Sequence, residues 1–138
     1  MTPAARRFIL RANALYLGIA SLAGLLLLDL RAIVFGTGPE GAILALAPHA
    51  AIGFVEAHGL ALILSVLLWQ AQPLRHAHLS AVAVMALLGI CNLVFWPIFT
   101  VSGMTAVGVI ATCAHLAFAA LQLVAASGSR ARATVEAS

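Results

Sequence analysis

The chain has 138 residues, of which 64% are hydrophobic and only 8% charged, and its formal net charge is +3. A soluble domain usually carries about 25% charged residues, and a chain of this size has too little interior to hide so much apolar surface. The mean hydropathy of +1.12 therefore excludes a soluble globular domain, intrinsic disorder and a coiled coil. A few scattered arginines also cannot form the basic face of a nucleic-acid-binding protein. The composition predicts an integral membrane protein.

Four apolar stretches are long enough to cross a bilayer, which takes about 20 helical residues. Only helices fit these stretches, because a membrane β-barrel needs more strands with alternating polarity. The predicted fold is thus an all-α, four-helix membrane bundle, a single domain over residues 1–126, followed by a flexible cytoplasmic tail over 127–138. The four spans are predicted at approximately 8–30, 50–70, 77–99 and 103–126.

Polar and helix-breaking residues separate the predicted spans. Asp29, Arg31 and the glycine-rich segment 36–41 are expected to end the first span. Pro97, with residues 100–103, allows a tight turn into the fourth span. The first apolar run is too long for a cleaved signal peptide, so we expect it to be retained as a helix.

The basic residues indicate an orientation, and all seven of them are arginines. The connections between spans one and two and between spans three and four lie on the same side of the membrane, and Arg31 is the only basic residue in them. The positive-inside rule then places both termini in the cytoplasm. Abundant alanine and the absence of lysine are typical of GC-rich bacterial genomes, so we expect a multi-pass protein of the bacterial inner membrane. The six arginines on the predicted cytoplasmic side are Arg6, Arg7, Arg11, Arg75, Arg130 and Arg132.

Polar side chains inside the spans are the candidate functional residues, because such groups are costly in lipid and tend to mark function. With a helical rise of about 1.5 Å per residue, Glu56, His58 and Asn92 lie in one layer roughly 9–12 Å from the outer ends of their spans, and His115 lies near the midplane. Glu56 is the strongest candidate functional residue, because a carboxylate at that depth must find a partner or be protonated. Trp96 is an expected interface anchor at the same outer end.

Helical spacing also predicts which residues share a face. Glu56 and His58 are about 200° apart on their helix, so the second span should contact neighbours, or a second subunit, on both sides. Three histidines at predicted span ends, His49, His76 and His78, are expected to be solvated. Stripes of small and polar residues typical of helix contacts run along the third and fourth spans: His78, Met85, Gly89, Asn92 and Trp96, and Thr105, Gly108, Thr112, His115, Ala119 and Gln122.

The favoured functional hypothesis is a binding protein. A pocket between the helices, opening to the outer leaflet, would hold the polar head of a lipid, quinone or isoprenoid. The predicted lining residues are Glu56, His58, Asn92, His115 and Trp96.

Four alternatives of other classes stay open. The chain can be an accessory or assembly subunit of a membrane complex, or a homo-oligomer, held by its small-residue faces. It can be a b-type haem protein with His58 and His115 as axial ligands. It can be a small membrane enzyme that pairs Glu56 with a histidine of another span, although no metal-ligand spacing such as HExxH occurs. A proton- or ion-coupled carrier with so few spans would have to dimerise.

Overall fold

The computed structural model describes residues 1–127, and within that range it contains helices and no β-strand. Four helices are long and apolar enough to cross a membrane. The predicted all-helical, four-span architecture is therefore confirmed, while the predicted tail beyond Ser127 lies outside the described residues. The four helices are Pro3–Phe35, Ala50–Gln70, Arg75–Val94 and Thr105–Ser127.

The first span is one continuous helix in three parts: α1 (Pro3–Ala23), a π-helical segment (Gly24–Asp29) and α2 (Leu30–Phe35). It ends at Gly36, whose φ of 64° is a left-handed conformation that glycine adopts without strain. Its 33 residues correspond to about 50 Å of helix, more than the 30 Å of a bilayer core.

The prediction that Asp29 and Arg31 end the first span is wrong. Asp29 is fully buried within the helix, and its carboxylate accepts a hydrogen bond from His58 of the second span. A buried carboxylate with a partner avoids most of the desolvation cost that would otherwise expel it from a membrane helix.

The remaining chain forms a short helix α3 (Gly41–Leu46) and then α4 (Ala50–Gln70), whose bounds match the predicted second span. It continues as α5 (Arg75–Val94), a short α6 (Trp96–Val101) and α7 (Thr105–Ser127). The third span is shorter than predicted because the helix is interrupted at Phe95, with φ −97° and ψ 24°. Pro97 follows two residues later, and a proline ring is incompatible with the preceding helical turn.

The bundle consists of two helix pairs. In the first pair, α1 packs along α4, and in the second, α5 packs along α7, while contacts between α1 and α7 join the pairs. We call the end that carries Arg6, Arg7 and Arg11 the basic end, and the opposite end, which carries residues 36–49, the loop end. The main apolar core lies towards the basic end and comprises Leu10, Ala14, Leu17, Ala61, Leu68, Ala77, Ala81 and Met85.

The predicted contact stripes of α5 and α7 are largely buried. Thr105, at the start of α7, is exposed, and Asn92 and Trp96 are half-buried. His49 and His76 are exposed as predicted, but His78 is fully buried, so its predicted solvation is wrong. The buried members of the stripes are His78, Met85, Gly89, Gly108, Thr112, His115 and Gln122.

Two leucines on α1 test this core. Leu17 is 2% exposed and Leu15 is 56% exposed. We expect Leu17→Ala to lower the free energy of unfolding by about 2–4 kcal/mol, because it leaves a cavity between packed helices. Leu15→Ala should change it by less than about 1 kcal/mol, because lipid replaces the lost contacts. Reversible unfolding in mixed micelles measures both, and equal losses would contradict the packing described.

Candidate functional site

The five predicted pocket residues differ in burial, and His58 is half-buried. Glu56 is exposed, Asn92 and Trp96 are half-buried, and His115 is buried. Within residues 1–127, no hydrogen bond, ion pair or ring contact joins any two of the five residues. Trp96 contacts Phe99 instead, with ring centroids 5.7 Å apart.

His58 and His115, the two predicted haem ligands, have different neighbours. The His115 ring meets the Tyr16 ring of α1 edge-on, with centroids 5.6 Å apart. The His58 ring lies against α1 at Gly24, and its Nε2 is the atom that a side chain on Gly24 would meet first. With Nδ1 bound to Asp29 and Nε2 against a helix backbone, His58 has no free nitrogen for iron, so the arrangement does not fit a haem ligand.

The strongest polar cluster lies at the loop end and consists of Asp29, Glu40 and His58. His58 Nδ1 donates to Asp29 Oδ2 at 2.8 Å. Within residues 1–127, no other carboxyl group is recorded in contact with a basic side chain. Asp29 and Glu40 are 0% and 4% exposed. The Asp29 Oδ1 and Glu40 Oε2 atoms are buried without a hydrogen-bond partner in the described chain.

The π-helical segment explains how Asp29 and His58 meet. A π-helical turn adds a residue to the turn, which changes the direction of the side chains that follow, and such turns are frequent at functional sites. This segment begins at Gly24, where the His58 ring takes the space that a Cβ atom would occupy. It ends at Asp29, which binds the same ring. The glycine and the aspartate of one π-helical segment therefore hold one imidazole.

Glu40 approaches this cluster from the loop that follows α2. After Gly36 the chain folds back so closely that a Cβ atom on Gly41 would meet the Gly36 carbonyl. Glu40 is thereby buried beside Asp29. Burial, followed by the negative charge of Asp29 and by the hydrogen bond that a protonated Glu40 can donate to Asp29, raises the pKa of Glu40 from 4.5 to about 7.

A second set of buried polar groups lies towards the basic end. His78 Nδ1 donates to Gln122 Oε1 at 2.5 Å, which joins α5 to α7. Asn13 of α1 is fully buried, and neither of its amide atoms has a hydrogen-bond partner in the described chain. Arg6 is close enough to His78 to interact with it electrostatically.

Sequence reasoning found His58 but missed Asp29, Glu40 and Asn13. One signal was available, because Asp29 and Glu40 are two of only four acidic residues in the chain. Asn13 lies near the start of the predicted first span, so its polarity was also visible in the sequence.

The described surface also has two adjoining depressions between α1 and α4. One, of about 420 Å³, lies at the basic end. The other, of about 320 Å³, runs along the helices, and Trp69 lines both. The guanidinium carbon of Arg11 is 5.0 Å from the centre of the Trp69 ring. The first is lined by Arg7, Arg11, Trp69, Gln70, Ala71 and Gln72; the second by Ala14, Leu15, Gly18, Ile19, Leu22, Leu62, Ser65, Val66 and Trp69.

Comparison of the chain with models of protein families, with curated proteins and with solved structures finds no match.

Two glycines test the packing of the histidine. We expect Gly24→Ala to displace the His58 ring and to lower the free energy of unfolding by about 1–3 kcal/mol, because the added methyl group overlaps the ring. Gly59→Ala, one residue after His58, meets no atom within 4 Å and should stabilise its helix by about 0.5–1 kcal/mol. Thermal unfolding in detergent measures both, and a neutral Gly24→Ala would argue against the described contact.

Proposed function

We propose that this chain is a bacterial inner-membrane protein, with both termini in the cytoplasm, that binds an amphiphile with an anionic head in the groove between α1 and α4. The proposal keeps the lipophilic ligand expected from the sequence but locates it at the basic end instead of the outer layer of Glu56. Two depressions of complementary chemistry that share Trp69 as a lining residue carry it.

The depression at the basic end has the chemistry of a headgroup site. Its lining residues include two arginines and two glutamines, Gln70 and Gln72. Arg11 stacks on Trp69, and a guanidinium held over a ring keeps its N–H edge available for hydrogen bonds. A basic residue near an anionic lipid surface contributes about 1 kcal/mol. Two such charges favour a phospholipid or an isoprenyl phosphate over an uncharged quinone.

The second depression has the chemistry of an acyl-chain site. Its wall is apolar except for Ser65, whose hydroxyl donates to the Leu62 carbonyl and is therefore already paired. The floor is a close approach of the helices, since a Cβ atom on Gly18 would be 3.0 Å from Ser65 Oγ. An alkyl chain can lie there without facing an unsatisfied polar group.

Retention of a defined lipid tests this function. We expect wild-type protein in nanodiscs of mixed phosphatidylglycerol and phosphatidylcholine to retain phosphatidylglycerol on gentle release into detergent, as read by native mass spectrometry. Arg7→Gln with Arg11→Gln should weaken that retention about tenfold or more, because two charge contacts are lost.

A control variant with the same net charge separates the groove from general electrostatics. Arg31→Gln with Arg75→Gln removes two exposed arginines that do not line either depression. It should leave retention near the wild-type level. Equal losses in both double variants, or no preference for the anionic lipid in wild-type protein, would contradict the proposed site.

A second candidate function, as a subunit of a larger assembly, is favoured by the position of Glu56. Its face of α4 is exposed and otherwise small or apolar. A carboxylate facing hydrocarbon is expensive, so a partner helix that covers it would remove this cost. The exposed residues of this face are Ile52, Gly53, Glu56, Leu60 and Ile63.

Charge reversal at Glu56 tests this second function. We expect wild-type protein extracted from its native membrane in a copolymer disc to have a mass above that of one chain. Glu56→Lys should release the partner, because a positive charge would replace the negative charge that the partner surface complements. Glu56→Gln keeps a hydrogen-bonding group and should retain more of the complex. A wild-type protein that is a single chain under these conditions would argue against the assembly.

A further inference from the structure

We propose that Asp29 and Glu40 form a proton-binding site, in which one proton shared between the two carboxyl groups holds the segment 36–49 against the bundle at the loop end. Loss of this proton releases the segment. The inference does not depend on the amphiphile site, which lies at the opposite end.

The geometry of the carboxyl groups carries the proposal. Both side chains are more than nine-tenths buried. Asp29 Oδ2 accepts a hydrogen bond from His58. Asp29 Oδ1 and Glu40 Oε2 have no recorded hydrogen-bond partner within residues 1–127. Two carboxylates that share a buried site cannot both stay ionised, and a single proton turns their repulsion into a hydrogen bond. That hydrogen bond runs from the protonated Glu40 carboxyl to Asp29.

The other charged groups around the site do not replace the proton. From α4, His58 faces the pair and is bound to Asp29. From α2, the side chain of Arg31 is exposed, passes Gly38 and donates through Nε to the Thr37 hydroxyl at 3.3 Å. His49, at the start of α4, is exposed. A single imidazole therefore faces the two carboxyl groups.

Glu40 is also the residue through which the site controls the loop. Its carbonyl accepts from the Leu44 amide at 2.9 Å, so it begins the first turn of α3. That helix lies against both α2 and α4. A charged Glu40 would have to leave the site for water, and α3 would move with it.

The pH dependence follows from the direction of the change at Glu40. Its pKa is raised from 4.5 to about 7 in the closed arrangement, by burial and then by Asp29. A group whose pKa is raised by closure favours closure at low pH, and this contribution is lost as the pH rises through about 7. The segment should therefore be closed in acid and open progressively between pH 5 and 8.

Hydrogen–deuterium exchange of full-length protein in nanodiscs tests the proposal. After correction for intrinsic exchange rates, we expect the opening constant of amides 41–46 to rise between pH 5 and pH 8, by up to about seventyfold. Glu40→Gln should abolish this rise, because the amide has no proton to lose. His49→Gln, at an exposed side chain of the same segment, should leave the rise unchanged.

Three exchange results would overturn the proposal. The protection of the wild-type segment does not depend on pH, or Glu40→Gln keeps the wild-type pH profile, or the protection depends on divalent cation concentration instead of pH. Infrared difference spectroscopy supplies a second measurement that does not depend on the folding of a variant. The C=O stretching band of a protonated carboxylic acid should be present in wild-type protein at pH 5 and disappear around pH 7; its absence at pH 5 would also overturn the proposal.

Discussion

Hydrocarbon offers no hydrogen bonds, so a polar group inside a membrane helix is costly unless it finds a partner within the protein. In this chain that constraint joins helices two by two. Asp29 of the first span binds His58 of the second, and His78 of the third binds Gln122 of the fourth. These pairs of spans are also the ones that pack most extensively. Because lipid supplies little hydrophobic drive for association between helices, such bonds and close packing determine which helices pair.

Aromatic contacts of α1 with α7 connect the two pairs, in addition to the apolar core that α1, α4 and α5 share. The Tyr16 ring stacks on Phe118 at 5.3 Å and meets His115 at 5.6 Å. Its hydroxyl donates to the Ala111 carbonyl at 3.5 Å, a long hydrogen bond. Tyr16 thus satisfies its polar atom while its ring fills the space between the pairs, as buried tyrosines usually do.

The sequence predicted the number of spans and the bounds of the second, because these depend on the local concentration of apolar residues. Helical spacing also predicted the contact stripes of α5 and α7. Spacing gives only the angle between two residues, and it does not say which of the two faces inward. Glu56 and His58 were correctly placed on different faces, but His58 is the one that binds another span, while Glu56 is exposed.

The cluster at the loop end was missed for a different reason. An aspartate with an arginine two residues later normally ends an apolar span, and Asp29 remains inside the helix because of a partner 29 residues away. The π-helical segment that directs it to that partner likewise depends on tertiary contacts, since His58 occupies the space beside Gly24. Glu40 then reaches the cluster through a loop with no periodic pattern. Local rules fail at such positions, and a failure of this kind is expected where a functional site is held by tertiary contacts.

The groove and the carboxyl pair both lie on the α1–α4 pair, but they place different demands on it. The floor of the groove is the contact between Gly18 and Ser65. The alkyl chain of the proposed ligand can therefore enter without separating the helices. The carboxyl pair acts on a segment outside the two helices, and its bond to His58 holds α1 against α4 in either position of that segment. One helix pair can therefore carry the proposed binding surface at one end and the proposed movable loop at the other. The residues that line the groove and those of the carboxyl cluster have no member in common, so each can be altered without changing the contacts of the other.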